Sequence, residues 1–202
     1  MVNLSRTFFS ILALSLIVSA ISSTFAEDEK KPEAKQEDKA AAAKTTDVEI
    51  KGVTLKIPEA WKKMPLGPLQ VANYEVPAAG DDAEPSQLAV FHFQNGAGSL
   101  DDNMKRYVNQ FDAGDRKVKV LDGESPHGKY TLVDITGSWT RPFQAKAMKK
   151  PNTRMLAVIL HNEKSGDYFV RLTGPNKTVT ENAAVLRASI SADAEKEKVR
   201  KE

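Results

Sequence analysis

The sequence contains no cysteine, so it offers no disulfide, no thiolate metal ligand and no cysteine that could carry a lipid after an apolar leader. Its 29 basic and 27 acidic residues leave a formal net charge of +2, which gives no global attraction to nucleic acid or to an anionic membrane. It also lacks a run of the roughly 20 apolar residues that a membrane-spanning helix needs. These absences argue against redox proteins, lipoproteins, nucleic-acid-binding proteins and proteins that span a membrane with helices.

The first 26 residues have the three-part layout of a secretory signal peptide. Arg6 gives the start a positive charge, an apolar stretch runs from Phe8 to Ile21, and Thr24-Phe25-Ala26 forms a small-residue exit. We predict cleavage after Ala26, which leaves no transmembrane segment in an exported protein that is periplasmic or secreted. An uncleaved anchor is the alternative.

Three segments follow the leader. Residues 27–47 are charged and hold almost no large apolar side chain, so they predict a disordered charged linker. Residues 48–192 are enough for one globular domain with its own core. Residues 193–202 read as a charged C-terminal tail, which we expect to prolong the last helix into solvent before it frays.

Short alternating runs within the domain predict strands that are joined by tight turns. The runs at 48–50 and 53–57 flank Lys51-Gly52 and are typical of a β-hairpin. Further strands are predicted at 69–76, 87–94, 117–122, 129–137, 154–161 and 167–173. Because no crossover helix separates most neighbouring strands, the pattern predicts a mainly antiparallel sheet of about six to eight strands.

Two helices are predicted beside this sheet. The first runs over 100–113, with Ser99 as N-cap and Gly114 as its C-terminal stop, and it places Tyr107 and Phe111 on one apolar face. The second runs over 179–192. The expected fold class is therefore α+β, with two helices packed on an antiparallel sheet.

Several stretches resemble an uncharacterised family of exported bacterial proteins. They are Ile57-Pro58-Glu59-Ala60-Trp61, Leu88-Ala89-Val90-Phe91-His92-Phe93, 103–111, Leu132-Val133-Asp134-Ile135-Thr136-Gly137 and Phe169-Val170-Arg171-Leu172-Thr173-Gly174-Pro175. The opening strand-Pro-Glu-x-Trp is also similar to the PsbP-like fold, which implies an antiparallel sheet sandwiched between helices. No activity is assigned to the bacterial family, so the resemblance implies the fold and export and no catalytic residue.

No pattern of residues in the sequence predicts a catalytic, metal or cofactor site. His92, His127 and His161 are far apart and form none of the spacings that hold a metal. The pairs Asp81-Asp82 and Asp101-Asp102 are direct neighbours, whose side chains point apart on a strand, and Gly-x-Ser-x-Gly is absent. We therefore predict no catalytic residue, no metal and no cofactor.

One region carries charge of a single sign. Residues 135–160 contain no Asp or Glu, and they hold five cations, which are Arg141, Lys146, Lys149, Lys150 and Arg154. We expect most of them on a long connection between strands, where they would contact an anionic partner such as a component of the cell envelope. The alternative is a solvated loop that keeps the protein soluble.

The function predicted from these observations is a non-enzymatic binding or interaction module that uses its surface or a cleft beside the sheet. The alternative is a cofactor-free hydrolase or other enzyme whose site is assembled from residues distant in sequence. The positions of the histidines distinguish the binding module from the enzyme, because the enzyme needs His92 or His161 in a concave site within reach of a Ser, Asp or Glu side chain.

Overall fold

The computed structural model describes residues 44–141 and 148–201. The predicted leader and residues 27–43 of the predicted linker lie outside these ranges. The last four linker residues, 44–47, lie inside, and three of them belong to the first strand.

The described chain holds ten strands, three short α-helices and one turn of 3₁₀ helix. In chain order they are β1 (Thr45–Ile50), β2 (Val53–Pro58), β3 (Lys62–Lys63), β4 (Gln70–Val76), β5 (Ser86–Phe93), α1 (Leu100–Val108), β6 (Lys117–Ser125), β7 (Gly128–Thr140), β8 (Lys149–Asn162), β9 (Gly166–Pro175), α2 (Asn176–Glu181), α3 (Ala183–Ser189), the 3₁₀ turn (Ala194–Lys196) and β10 (Lys198–Val199).

Eight strands form one antiparallel sheet in the order β10-β6-β7-β8-β9-β5-β4-β3. The predicted hairpin is also present, as a separate two-stranded sheet of β1 and β2. Its turn residues Lys51 and Gly52 have φ of 51° and 95°, the left-handed pair that a two-residue hairpin turn requires. The predicted α+β class with a mainly antiparallel sheet is confirmed.

The predicted helices begin and end differently from the observed ones. Ser99 caps α1 as predicted, because its Oγ accepts the Asp102 N–H at 3.1 Å, but the helix ends at Val108 and does not continue to residue 113. The chain leaves the helix because Asp112 N–H donates to the Ser138 carbonyl and Gln110 O accepts from Thr140 N–H, which ties this segment to β7. The second predicted helix is split at Asn182 into α2 and α3.

Successive residues of a strand point to opposite faces, so the large sheet carries two cores. The closed face carries the buried side chains Leu88, Leu132, Leu156, Val158, Val170 and Leu172. The hairpin covers it with Val53 and Leu55, and the C-terminal helices cover it with Val179 and Leu186.

The opposite face, which we call the open face, carries Val133, Ile135, Met155, Ala157 and Phe169. Helix α1 and the turn after it cover one part of this face with Tyr107 and Phe111, and Trp139 closes the edge. The rest of the open face is not covered by a helix within the described residues.

The prediction that residues 193–202 prolong the last helix is wrong. After α3 the described chain turns back, and β10 pairs with β6 as the outermost strand of the sheet. Glu197 accepts hydrogen bonds from Arg187 Nε and from Tyr130 Oη at 2.9 Å each, and Arg200 donates to Asp122 Oδ1 at 2.7 Å. The charged side chains that led to the prediction of a solvated tail are the ones that attach this segment to the sheet.

Within the described part of the chain, no helix combines the length and the apolar character that crossing a membrane requires.

Candidate functional site: a groove on the open face

A groove of about 1300 Å³ lies on the open face between α1 and the end of the sheet formed by β4 and β5. Its floor is formed by β5, β8 and β9, one wall is the side of α1, and the other wall is the loop 64–70. Residues Arg141 and Met148, which flank residues 142–147, also line it. Within the described residues, α1 leaves this part of the face uncovered.

Arg171 stands on the floor of the groove, in the interior strand β9. The residues directly opposite it are alanines on both neighbouring strands, Ala89 on β5 and Ala157 on β8. Both side chains beside Arg171 in its row across the sheet are therefore small. The arginine Cζ lies 5.5 Å from the centre of the Phe91 ring, which orients the guanidinium over an aromatic surface.

The charge of Arg171 has no counter-ion within residues 44–141 and 148–201. Its Nε is buried and has no hydrogen-bond acceptor there. Burial lowers the pKa of this guanidinium; Tyr107 raises it and the neighbouring Arg141 lowers it further. A buried donor of this kind costs free energy unless an acceptor pairs with it, so the site is suited to an anion from outside the described residues.

Two buried hydroxyls near Arg171 also lack a partner among the described residues. Thr173 lies two positions along β9 and therefore on the same face, and its Oγ1 is unpaired. Ser86 Oγ is unpaired as well, although Ser86 alternates with Gln87 and so belongs to the opposite face of β5. Arg171 and Thr173 both line the groove, and each keeps one buried polar atom without a partner among the described residues.

The walls of the groove are mostly apolar. Leu66, Leu69 and Met148 line it with 56%, 75% and 65% of their surfaces exposed. Further apolar lining comes from Met64, Phe91, Phe93 and Phe169. Side chains of this size are usually buried, and their collection around one cavity is typical of a surface that binds a ligand or a partner.

The structure brings three of the five predicted cations to this groove. Arg141, Lys149 and Lys150 line it, Lys149 pairs with Asp112, and Lys150 pairs with Glu84 at 2.6 Å. The connection between β7 and β8 is shorter than expected, because β8 already begins at Lys149.

The other two cations have different positions. Arg154 lies on the closed face beneath α2, where it pairs with Asp134 at 2.7 Å and donates to Thr180. It therefore does not reach the groove. Lys146 lies outside the described residues.

The histidines do not form one site. His92 is paired in register with Tyr168, which is opposite Leu160, so His92 and His161 lie on opposite faces of the sheet. His92 Nε2 is 2.6 Å from the Ser165 carbonyl oxygen. No group of three or more His, Cys, Asp or Glu side chains able to hold a metal occurs in the described ranges.

His161 partly meets the criterion set for an enzyme. It lines a second cavity of about 1040 Å³, and its Nδ1 lies 2.7 Å from Asp167 Oδ1. Among the described residues no serine lines this cavity, and the Thr131 hydroxyl there donates to Asp122 and accepts from Arg200. The pair therefore has a base and an orienting acid and lacks a free hydroxyl nucleophile.

Arg171 was missed by the sequence reasoning, although the sequence carries a signal for it. Strand β9 alternates between apolar Tyr168, Val170 and Leu172 and a second set of residues that includes Arg171. A charged residue in the middle of an interior strand needs a partner or a function, because burying an unpaired charge is costly.

The fold was compared with known proteins. No protein-family model and no curated protein matches the chain. Solved structures that are similar include the solution structure of cyanobacterial PsbP (CyanoP) from Synechocystis sp. PCC 6803, with 12% sequence identity, a TM-score of 0.46, and 78% of this chain and 94% of that chain covered. The Ran-binding protein Mog1p of Saccharomyces cerevisiae, in a crystal structure at 1.9 Å resolution, has 14% identity, a TM-score of 0.45, and 78% and 96% covered.

Proposed function

We propose that this protein is a non-enzymatic binding module whose ligand lies in the groove, with an anionic group of the ligand against Arg171. The observation that carries the proposal is Arg171 on the groove floor, which is partly exposed and has no counter-ion among the described residues. A partly buried charge without a counter-ion lowers stability, and such charges are kept mainly at functional sites. Binding an anion is the function that this geometry fits.

The groove favours binding over catalysis. It is lined by Glu75 and Glu84 and by several cations, and no histidine lines it within the described ranges. Ser86 has no base within hydrogen-bond reach, and a serine nucleophile needs one. The side chains that line the groove thus supply charge, hydrogen bonds and apolar contact, which are the components of recognition.

We also propose that the protein is exported and meets its ligand in the cell envelope. The leader over residues 1–26 supports export, and the cations Arg141, Lys149 and Lys150 beside the groove support an anionic partner there. N-terminal sequencing of the protein from its native cells tests export. We expect a mature chain that begins at Glu27, and an intact Met1 in the mature protein would contradict export by this route.

Site-specific photocrosslinking in living cells tests the groove. A photoreactive phenylalanine analogue at Leu69, on the rim of the groove, is compared with the same analogue at Val118, which is also exposed and lies on β6 outside the groove. We expect one defined adduct from position 69 that disappears when Arg171→Gln is added, and no such adduct from position 118. An adduct that persists at full yield in the Arg171→Gln background would remove the anion site from the proposal.

A further inference from the structure

We propose that the groove takes a monocarboxylate amphiphile, whose carboxylate pairs with Arg171 while its hydrocarbon chain contacts Leu66, Leu69 and Met148. This rests on the proposed function and adds the chemical class of the ligand. Four observations carry the inference, and they concern the single deep cation, the helix beside it, the apolar rim and the backbone at Leu69.

The floor of the groove supplies one partly buried cation. Arg171 is only partly exposed, whereas Arg106 and Arg141 are exposed at the sides of the groove. Lys149 and Lys150 already pair with Asp112 and Glu84. Arg171 is partly exposed at the groove while its Nε is buried, so a carboxylate would meet the terminal nitrogens of the planar guanidinium, which can donate two parallel hydrogen bonds to it.

The helix beside the groove argues against a phosphate head group. Phosphates are commonly held by the free N–H groups at a helix N-terminus. Helix α1 lines the groove with Asn103, Arg106 and Tyr107, whereas residues 99–102 at its N-terminus do not line it. The helix therefore offers the ligand head none of its free N–H groups, and a monoanion fits the single deep charge of Arg171.

The rim provides the place for a hydrocarbon chain. The described residues include five exposed large hydrophobic side chains, and three of them, Leu66, Leu69 and Met148, lie at this groove. Below them Phe91, Phe93 and Phe169 form an apolar wall. A hydrocarbon chain that reaches from the rim to the floor would bury all of these surfaces at once. Each methylene that it buries raises the affinity about fourfold.

The backbone at Leu69 supports a functional role for that rim. Leu69 has φ of 63°, a left-handed conformation that is unfavourable for leucine, and the turn before it is held by a hydrogen bond from Gly67 N–H to Gln70 Oε1 at 2.6 Å. The strain presents a leucine side chain to the groove mouth rather than to a core. Strained positions of this type cluster at ligand-binding sites.

Titration calorimetry with the full chain tests the inference, with decanoate as the probe. We expect decanoate to bind, octanoate to bind about 16-fold more weakly because it buries two fewer methylenes, and decanol to bind at least tenfold more weakly because it lacks the charge. Arg171→Gln should weaken decanoate at least tenfold and leave decanol unchanged. Arg116→Gln is the matched control, because Arg116 lies outside the groove and donates to backbone carbonyls, and it should change neither.

Two gentler variants keep the test decisive if Arg171→Gln fails to fold. Arg171→Lys, which keeps the charge and loses the paired hydrogen bonds, should weaken decanoate severalfold and spare decanol, whereas Leu69→Ser should weaken both. No binding of decanoate, equal binding by Arg171→Gln, or tighter binding of decyl phosphate than of decanoate would each overturn the ligand class. A photocrosslink at position 69 that contains only polypeptide, with no decanoate binding, would overturn the amphiphile and leave the groove as a binding site.

Discussion

The two faces of the large sheet are built from alternate residues of the same strands, yet they are completed in different ways. The closed face is covered along its length by a hairpin and two helices, and its side chains Leu88, Leu156 and Leu172 have no exposed surface. Among the described residues, α1 covers only part of the open face, which keeps a groove with an arginine that has no partner there. The closed face is therefore built for stability, whereas the open face gives up part of the possible burial at the groove that we propose as a binding site.

The largest effect is expected from Phe111→Ala, which tests whether the covered part of the open face is a true core. Phe111 is 3% exposed and packs with Tyr107 and Trp139. Removing its ring should lower the free energy of unfolding by about 3 to 5 kcal/mol. Urea denaturation measures this, and Leu69→Ala, at an exposed groove position, is the control. An unchanged unfolding midpoint would refute the burial of Phe111.

A second variant tests the C-terminal segment that closes one edge of the closed face. Arg187 pairs with Glu197 at 2.9 Å, and their side chains are only 16% and 4% exposed. Arg187→Met leaves a buried carboxylate without its cation and should cost about 3 kcal/mol. The double variant Arg187→Met/Glu197→Leu should recover most of that loss. Equal destabilisation by the single and double variants would show that the charge pair is not the reason.

At the groove we expect a substitution to raise the free energy of unfolding rather than to lower it. Arg171→Met replaces an unpaired, partly buried charge by an apolar side chain of similar length, so it should raise the free energy of unfolding by about 1 kcal/mol in the absence of ligand. The neighbouring Leu172→Ala, on the closed face, should lower it by about 2 to 5 kcal/mol. A destabilised Arg171→Met variant would mean that the arginine has a structural partner. It would contradict the statement that the open face gives up stability at Arg171.

The smallest effect on stability is expected from the triple variant Lys146→Gln, Lys149→Gln and Lys150→Gln. The ion pairs of Lys149 and Lys150 are exposed, and exposed pairs contribute little, so the unfolding midpoint should stay nearly unchanged. Retention on an anionic resin should fall, and it should fall more than in a control triple of Lys56, Lys117 and Lys119 changed to Gln. Equal retention of the triple variant and the parent would favour a loop that serves solubility alone.

Most strands and the cap of α1 were predictable because each depends on local chemistry. Alternating side chains mark the strands, and Ser99 marks the start of the helix. The end of α1 was not predictable, since it is set by two hydrogen bonds with β7, which Asp112 N–H donates to Ser138 O and Gln110 O accepts from Thr140 N–H. The C-terminal segment was misread for the same reason, because the partners of Glu197 and Arg200 lie in α3, β6 and β7.

The groove depends even more on distant residues. The cations Arg141, Lys149 and Lys150 were found from sequence because they are a local run without acids. The central residue, Arg171, could not be recognised from the sequence alone, because its neighbours Ala89 and Ala157 lie beside it only after the strands pair. Arg154 belonged to the same run and yet faces the other way, since one position along a strand decides the face.

The two outermost strands of the large sheet, β3 and β10, are each only two residues long, and lysines occupy three of their four positions, Lys62, Lys63 and Lys198. A long, flat, uncharged outer strand offers its free backbone groups to another molecule, which leads to edge-to-edge association and fibre formation. Short charged strands at both ends withhold that template. Because each outer strand pairs with only two residues of its neighbour, Leu121 and Asp122 of β6 and Tyr74 and Glu75 of β4, repulsion between lysines contributes more than coverage of the backbone to keeping a second copy from adding to the sheet.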